Sequence, residues 1–415
     1  MNPDRADVAL RASMARLVDG LGMLCGLTVC YGTAGSHVIH STGLSREVRL
    51  VDGRFEPAPR KIDSHTIYDL ASLTKLYTLV SVLLLVEAGA LRLEDDIARL
   101  DPRFSSLSGC TLEDCLTYRL SLQTPRRVDA QADAAAARAM VFRTFAVPPV
   151  GERLYSDMNA LVLKYVLEAV SGLPFEQYLR RYVLEPAGLL ETWAEVPKER
   201  NEDIMDYNHE HRIVEGRYVL LSDVPPGLAH DPKARLLRQG EDSLSGHAGL
   251  FATAQDVCRF AGALLSGRLL KLDTLLQIGV NRTGYLLPDG AYRQFLGWLC
   301  FSKSPVQRLS EVPEWMGLRA FGLSGYTGNH LAIDPENGVF DLMLGNRCHN
   351  RLSLVRPEEM AAALGLRADG SGSVNWPDGR LVQSSFRFIH QKDKLVHNPV
   401  RDCLIARGWL KSGAP

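Results

Sequence analysis

Ser72 and Lys75, in the run Ser72-Leu-Thr-Lys75, are the residues of this chain best placed to do chemistry together. Three positions apart on a helix, they share a face with Cβ atoms about 5–6 Å apart, so the amine reaches the hydroxyl. They open an apolar run, Leu76 to Val86. Burial lowers the pKa of an amine, and the positive end of a helix disfavours an ammonium while stabilising an alkoxide and an oxyanion. The expectation is a neutral Lys75 acting as base toward a nucleophilic Ser72. A bare Ser-x-x-Lys recurs by chance about once in a chain of this length, so the pair needs further support.

Two other segments offer it. Tyr155-Ser156-Asp157 follows a turn at Gly151 and precedes a helix. A phenol beside a lysine can relay the serine proton to a leaving group; the same triplet reads equally as a helix cap next to a packed tyrosine. Leu323-Ser324-Gly325-Tyr326 heads a pair of strand-like runs. A strand edge there would give the Tyr326 N–H to an oxyanion hole whose other N–H belongs to Ser72, although in isolation the segment is also a plain turn.

These groups need a scaffold. The first twenty residues carry a helical stripe (Val8, Leu10, Met14, Leu17, Leu21), and Gly26 to Gly43 alternates as a hairpin. Ser72 to about Ala88 reads as a buried helix that Gly89 ends. Thr111–Asp114 and Thr253–Asp256 have the form of capping boxes, and Ala160–Ser171 and Val257–Leu265 are helical. Phe295–Phe301, Asn329–Ile333 and Gly338–Leu344 read as strands, Pro357–Leu366 as a helix and Arg367–Gly379 as a surface loop. This order predicts an α+β fold, an antiparallel sheet flanked by helices with a helical region inserted in the middle.

Composition narrows the function. With 47 basic and 48 acidic side chains the net charge is −1, which offers no field for nucleic acid or an anionic membrane. The Leu76–Val86 run is too short and too closely flanked by Lys75 and Glu87 to span a bilayer. The first residues lack the uninterrupted apolar stretch of a signal peptide. Eight cysteines without metal or disulfide spacing predict free, mostly buried thiols and a cytoplasmic protein. His209 and His211 form a His-x-His pair near His230, but no cysteine or HExxH frame accompanies them, so they read as exposed loop residues and no metal is expected.

Taken together, Ile67–Thr78, Leu154–Thr192, Gly246–Gly267 and Phe321–Arg347 resemble the serine-reactive penicillin-recognising superfamily: class C β-lactamases, D-alanyl-D-alanine peptidases, family VIII carboxylesterases and related acyltransferases. The resemblance covers roughly residues 20–365. It implies a β-lactamase/transpeptidase-like fold, with an α/β domain from residues 1–100 and 231–366, an all-helical domain from 101–230 and an extension at 367–415 without counterpart. It also implies Ser72 as nucleophile, Lys75 as base, Tyr155 as proton relay and the Ser72 and Tyr326 amides as oxyanion hole. Asp157, Leu323, Ser324, Gly325, His247 and Arg347 become candidate substrate contacts, His247 and Arg347 with turn roles as the alternative. Neither metal nor organic cofactor is implied.

Three departures from that pattern stand out. Leu323 replaces a Lys or His that would grip a substrate carboxylate. Asp157 replaces an Asn and would keep Lys75 charged. Tyr118–Leu122 replaces the usual His-Thr-Ser-Gly-Leu. The expectation is an esterase-like serine hydrolase acting through an acyl-enzyme on a small neutral ester or amide. An amidase, D-amino-acid peptidase, β-lactamase or acyltransferase on the same site, or a non-catalytic ligand-binding member of the fold, are the alternatives.

Overall fold

The structure is a computed structural model of the 415-residue chain, and it describes all residues except 1, 152, 240–243, 287–292, 306–310, 357–358, 360–371 and 412–415. Both ends of the chain meet in a seven-stranded antiparallel sheet, ordered Phe301–Ser302, Phe321–Ser324, His330–Asp334, Val339–Gly345, Gly26–Thr33, His37–Val51, Arg54–Lys61. The joining pair runs in register from Leu27↔Gly345 to Thr33↔Val339. Successive strand residues face opposite sides. Leu323, Leu331, Ile333, Phe340 and Leu342 therefore enter the larger core, while Val29, Tyr31, Ala332 and Met343 enter a smaller one.

The smaller core is closed by the two termini. Leu10 and Met14 of the helix Pro3–Ala15 pack with Val400, Cys403 and Leu404 of the helix Asn398–Ala406. The larger core holds the helix Thr74–Glu87, preceded by a single 3-10 turn at Ala71–Leu73. Its interior hydroxyls are satisfied: Ser81 Oγ donates to the Tyr77 carbonyl at 2.8 Å and Thr78 Oγ1 to the Gly246 carbonyl at 2.6 Å. The expected helix stop is present, with Gly89 at φ 73°. The Thr111–Asp114 capping box has both of its hydrogen bonds.

The inserted block, expected to be all helical, also carries strands. Ser121–Gln123 pairs with Phe145–Val147, and Glu210–Val214 forms a hairpin with Arg217–Leu221. Glu215 and Gly216 both take positive φ in the hairpin turn, the backbone twist that suits a two-residue loop. The first hairpin strand then pairs in parallel with Leu352–Val355. Of the expected strand Phe295–Phe301 only its end is one (Phe301–Ser302), because the chain bends between Gly297 and Cys300. The expected loop 367–379 contains a strand, Ser373–Asn375, paired with Leu381–Gln383. The helix expected at 357–366 lies outside the described residues, apart from Glu359.

All eight cysteines are free and buried. Among the described residues no helix is long and apolar enough to cross a membrane. If the C-terminal helix closes the second core, Leu404→Ala should lower the free energy of unfolding by about 2–5 kcal/mol. Guanidinium denaturation of the two proteins measures this, and an unchanged midpoint would deny the helix that role.

Candidate active site

Ser72 sits in the 3-10 turn that leads into the buried helix, at the end of the strand Ile67–Asp69. The preceding residue, Ala71, holds φ 46°, a conformation that few non-glycine residues adopt. Asp69 supports it. One carboxylate oxygen accepts the Ala71 N–H at 2.9 Å and the other accepts the His230 N–H at 2.7 Å. The Asp69 carbonyl also accepts from Asn329 Nδ2 at 2.7 Å and Thr327 Oγ1 at 3.1 Å. The turn that carries Ser72 is thereby tied to the last strands of the sheet.

Lys75 Nζ lies 3.0 Å from Ser72 Oγ, 3.1 Å from the His247 carbonyl and 2.9 Å from Asp157 Oδ1, with its side chain fully buried. The expected contact between alcohol and amine is present, but the expected neutral amine is not. Burial alone would lower the Lys75 pKa; the Asp157 carboxylate, and after it the Tyr155 phenol, outweigh burial and hold it above the ordinary lysine value. Asp157 responds in the opposite sense. Burial raises it, yet Lys75, His247 and Lys233 together hold it well below the usual carboxylate range. Its second oxygen meets Lys233 Nζ at 2.8 Å. A carboxylate can accept from two amines at once, which the single oxygen of an asparagine side chain serves less well.

Tyr155 sits 5.0 Å from Lys75 Nζ, measured to the ring centroid, and stacks on Phe301. Its hydroxyl faces Ser72 and Lys75 without forming a well-aligned hydrogen bond to either. Burial raises its pKa, Lys75 lowers it and Asp157 raises it again, with a net increase. Ser156 is a helix cap as well, accepting the Met158 N–H. These groups open into a cleft of about 400 Å³, lined by Ser72, Tyr155, Asp157, Ser324, Gly325, Tyr326 and Arg347 among others. A second recess of about 210 Å³ meets the same Ser72 and Tyr326 on the side of Arg212 and His230.

Two expected substrate contacts lie elsewhere. Leu323 is fully buried in the larger core, because strand alternation turns it away from the face that carries Ser324. His247 is 1% exposed and does not line the cleft. Its carbonyl holds Lys75, and its ring bridges Ser245 Oγ at 3.0 Å and Asp231 Oδ1 at 2.9 Å. Arg347 does line the cleft. It does so from a turn, partly buried: Nε donates to the Tyr326 carbonyl at 2.6 Å and the guanidinium lies over the Tyr326 ring.

The three histidines read as exposed are buried. His209 bonds Ser222 at 3.1 Å, and His211 packs edge-on against Trp376. Burial lowers the pKa of each to about 4. His230 stacks on Tyr326 and meets Glu210 at 2.8 Å. Glu210, His230 and Cys348 lie close enough to share a metal. Arg212, Tyr326 and Ser353 also bond the same carboxylate, which suits an internal ion-pair cluster. Asp69, Lys233, Asp231, Glu311 and Lys392 escaped the sequence reading. Asp69 lies within the Ile67–Thr78 segment but was given no role there, and the other four belong to no short motif; all five are placed by contacts across the fold.

Residues 47–364 match the model of the Beta-lactamase family. The chain is 26% identical over 325 residues to a "Putative D-alanyl-D-alanine carboxypeptidase" of Escherichia coli (strain K12), covering 70% of this chain and 71% of that protein. Among solved structures it is similar to EstCE1, a hydrolase with promiscuous acyltransferase activity, with a TM-score of 0.63 and 17% identity over 83% of this chain and 94% of the other. It is also similar to a penicillin-binding protein homologue from Caulobacter crescentus, with a TM-score of 0.62 and 19% identity over 86% and 95% of the two chains. The matched span, the sheet with its flanking helices and the Ser72–Lys75 pair agree, and the chain belongs to the Beta-lactamase family of serine hydrolases.

Proposed function

We propose that this chain is an esterase-like serine hydrolase that forms an acyl-enzyme on Ser72 and takes a small neutral ester or amide. The observation that carries the reading is the 3.0 Å contact between Ser72 Oγ and a buried, charged Lys75 at the mouth of a cleft. With Asp157 beside it, Lys75 acts as a fixed positive charge rather than as a proton acceptor. Ser72 Oγ attacks the carbonyl carbon while its proton passes to Tyr155 Oη, and the Tyr155 proton passes to the leaving oxygen or nitrogen. The net charge of the pair does not change, and Lys75 stabilises the negative charge that builds on Ser72 Oγ and Tyr155 Oη.

The Ser72 and Tyr326 N–H groups are the candidate oxyanion donors. The first stands at the head of the helix Thr74–Glu87, and the second lies just past the Ser324↔His330 pair that ends the ladder. Water, entering with the same relay run in reverse, releases the acid and restores Ser72. An alcohol or amine in place of water would make the reaction an acyl transfer, and the same residues would serve it. Preference for a neutral substrate is supported by two positions: the one where relatives place Lys or His holds the core residue Leu323, and Lys392 is paired with Glu311. Arg347, with its Nε on the Tyr326 carbonyl, and the exposed Arg153 also line the cleft.

Ser72→Ala should abolish p-nitrophenyl butyrate turnover and fluorophosphonate labelling. Tyr155→Phe should lower kcat by about 10²–10⁴-fold. Equal turnover in wild type and Ser72→Ala would end the acyl-enzyme reading. Asp157→Asn should cost about 2–4 kcal/mol at pH 7, at the low end of the range for breaking a buried pair because Asp157 keeps 26% of its side chain exposed. Its folded-state pKa is depressed, so the stabilisation is fully present above the unfolded value of 3.8 and is lost as pH falls through the lower folded value. Urea melts of both proteins should differ by a constant amount from pH 5 to 8 and converge only below about pH 4. Convergence already at pH 6 would contradict the pair.

A further inference from the structure

We propose that the end of the cleft at Ser324 is a carboxylate receptor which the chain fills with its own Glu311, so that substrates bring an uncharged group to this place. Ser324 Oγ donates to Glu311 Oε2, and Lys392 Nζ lies 3.3 Å from the same oxygen. A hydroxyl and an ammonium converging on one oxygen are the donors a carboxylate ligand requires. Both Ser324 and Lys392 line the cleft, and the Lys392 side chain is only 2% exposed.

The placement of Glu311 is built into the fold. The strand Phe321–Ser324 passes Glu311 at Gly322, where a Cβ would collide with the Glu311 carbonyl oxygen. That carbonyl accepts from His330 Nε2 at 2.7 Å, and the His330 ring nitrogen stands 4.0 Å from Oε2. Lys392 is fixed from the other side by His397 Nε2 at 3.4 Å, whose Nδ1 in turn meets Asp341 at 2.7 Å. Phe388 and Ile389, from the helix Phe388–Lys392, wall the subsite.

A substrate carboxylate arriving here would bring a second negative charge to donors, Ser324 Oγ and Lys392 Nζ, that Glu311 already occupies. It would have to displace Glu311 or lie beside it in a confined space, and either outcome penalises binding. An ester, amide or alkyl group meets no such penalty. The inference rests on the reading of Ser72 as an esterase nucleophile and specifies which substrates that site excludes.

Two matched substrate pairs test it, one for each side of the scissile bond: mono-p-nitrophenyl glutarate against p-nitrophenyl valerate, and 4-acetoxybenzoate against its methyl ester. In at least one pair, wild type should favour the neutral partner in kcat/KM by at least about tenfold after correction for hydroxide hydrolysis. In that pair E311Q should raise the carboxylate-to-neutral ratio by about 10–100-fold, the value of a charge-assisted contact. Adding K392M to E311Q should return the ratio to the wild-type value. The inference is overturned if neither pair behaves this way, or if the gain survives K392M. Should E311Q not fold, the wild-type preference alone decides, and equal or better use of both carboxylate partners rejects the idea. Loss of all turnover in Ser72→Ala with unmoved ratios would remove only the role of Glu311. Turnover that persists in Ser72→Ala would remove the esterase reading itself.

Discussion

A fully buried ammonium cannot persist without a partner, and the Lys75–Asp157 ion pair is the interaction around which the site is organised. Asp157 stands at the start of the helix Asp157–Ser171 and Lys75 in the first turn of Thr74–Glu87, so the pair joins the two helices of the larger core that flank the cleft. The His247 carbonyl supplies a third contact to Lys75, from the turn that Gly246 begins. Gly246 there has φ 81°, and a Cβ would meet Lys164 Cβ at 2.8 Å, which allows the turn to lie directly on the second helix. With the carboxylate also bound to Lys233, charge is balanced locally rather than by solvent. The consequence is electrostatic: Asp157, and after it Tyr155, outweigh burial and hold the Lys75 pKa above the ordinary lysine value.

Asp69 does comparable work for the backbone. A single buried side chain and its carbonyl connect the Ser72 turn, the His230 loop and the strand entry at Thr327 and Asn329, segments separated by up to 260 positions. A nucleophile turn with a left-handed residue at Ala71 is costly by itself. Four hydrogen bonds to Asp69 hold it, one from Ala71 itself and three from two distant parts of the chain. The geometry of the Ser72 turn is thus a property of the assembled fold and depends on segments around residues 230 and 327–329 being in place.

Much of this was legible in the sequence because it rests on local patterns. Periodicity gives the buried helix and the N-terminal hairpin, and residue spacing places Ser72 within reach of Lys75. Asp157 for Asn already announced a charged lysine, although burial alone argued for a neutral one; the competition was settled by a carboxylate 2.9 Å away, a distance no pattern contains. Leu323 shows a different limit. Its type was informative, but its direction depends on which strand residue faces the core, and a shift of one position reverses that. The histidines His209, His211 and His230 looked exposed because their segment is polar. Strand pairing on both sides covers His211, and Tyr326 stacks over His230; such long-range contacts leave little local signal. Glu311 and Lys392 meet only because the helix Phe388–Lys392, 77 positions or more further along the chain, packs beside the segment that carries Glu311.

The most direct test of the account is to quench wild-type protein during turnover of p-nitrophenyl butyrate and map the adduct by intact and peptide mass spectrometry. The account predicts one butyryl group per chain, located on Ser72 and absent from Ser72→Ala. A butyryl group on Lys75 or Tyr155 in place of Ser72, or turnover with no adduct under conditions where deacylation is slowed by acid quench, would contradict it.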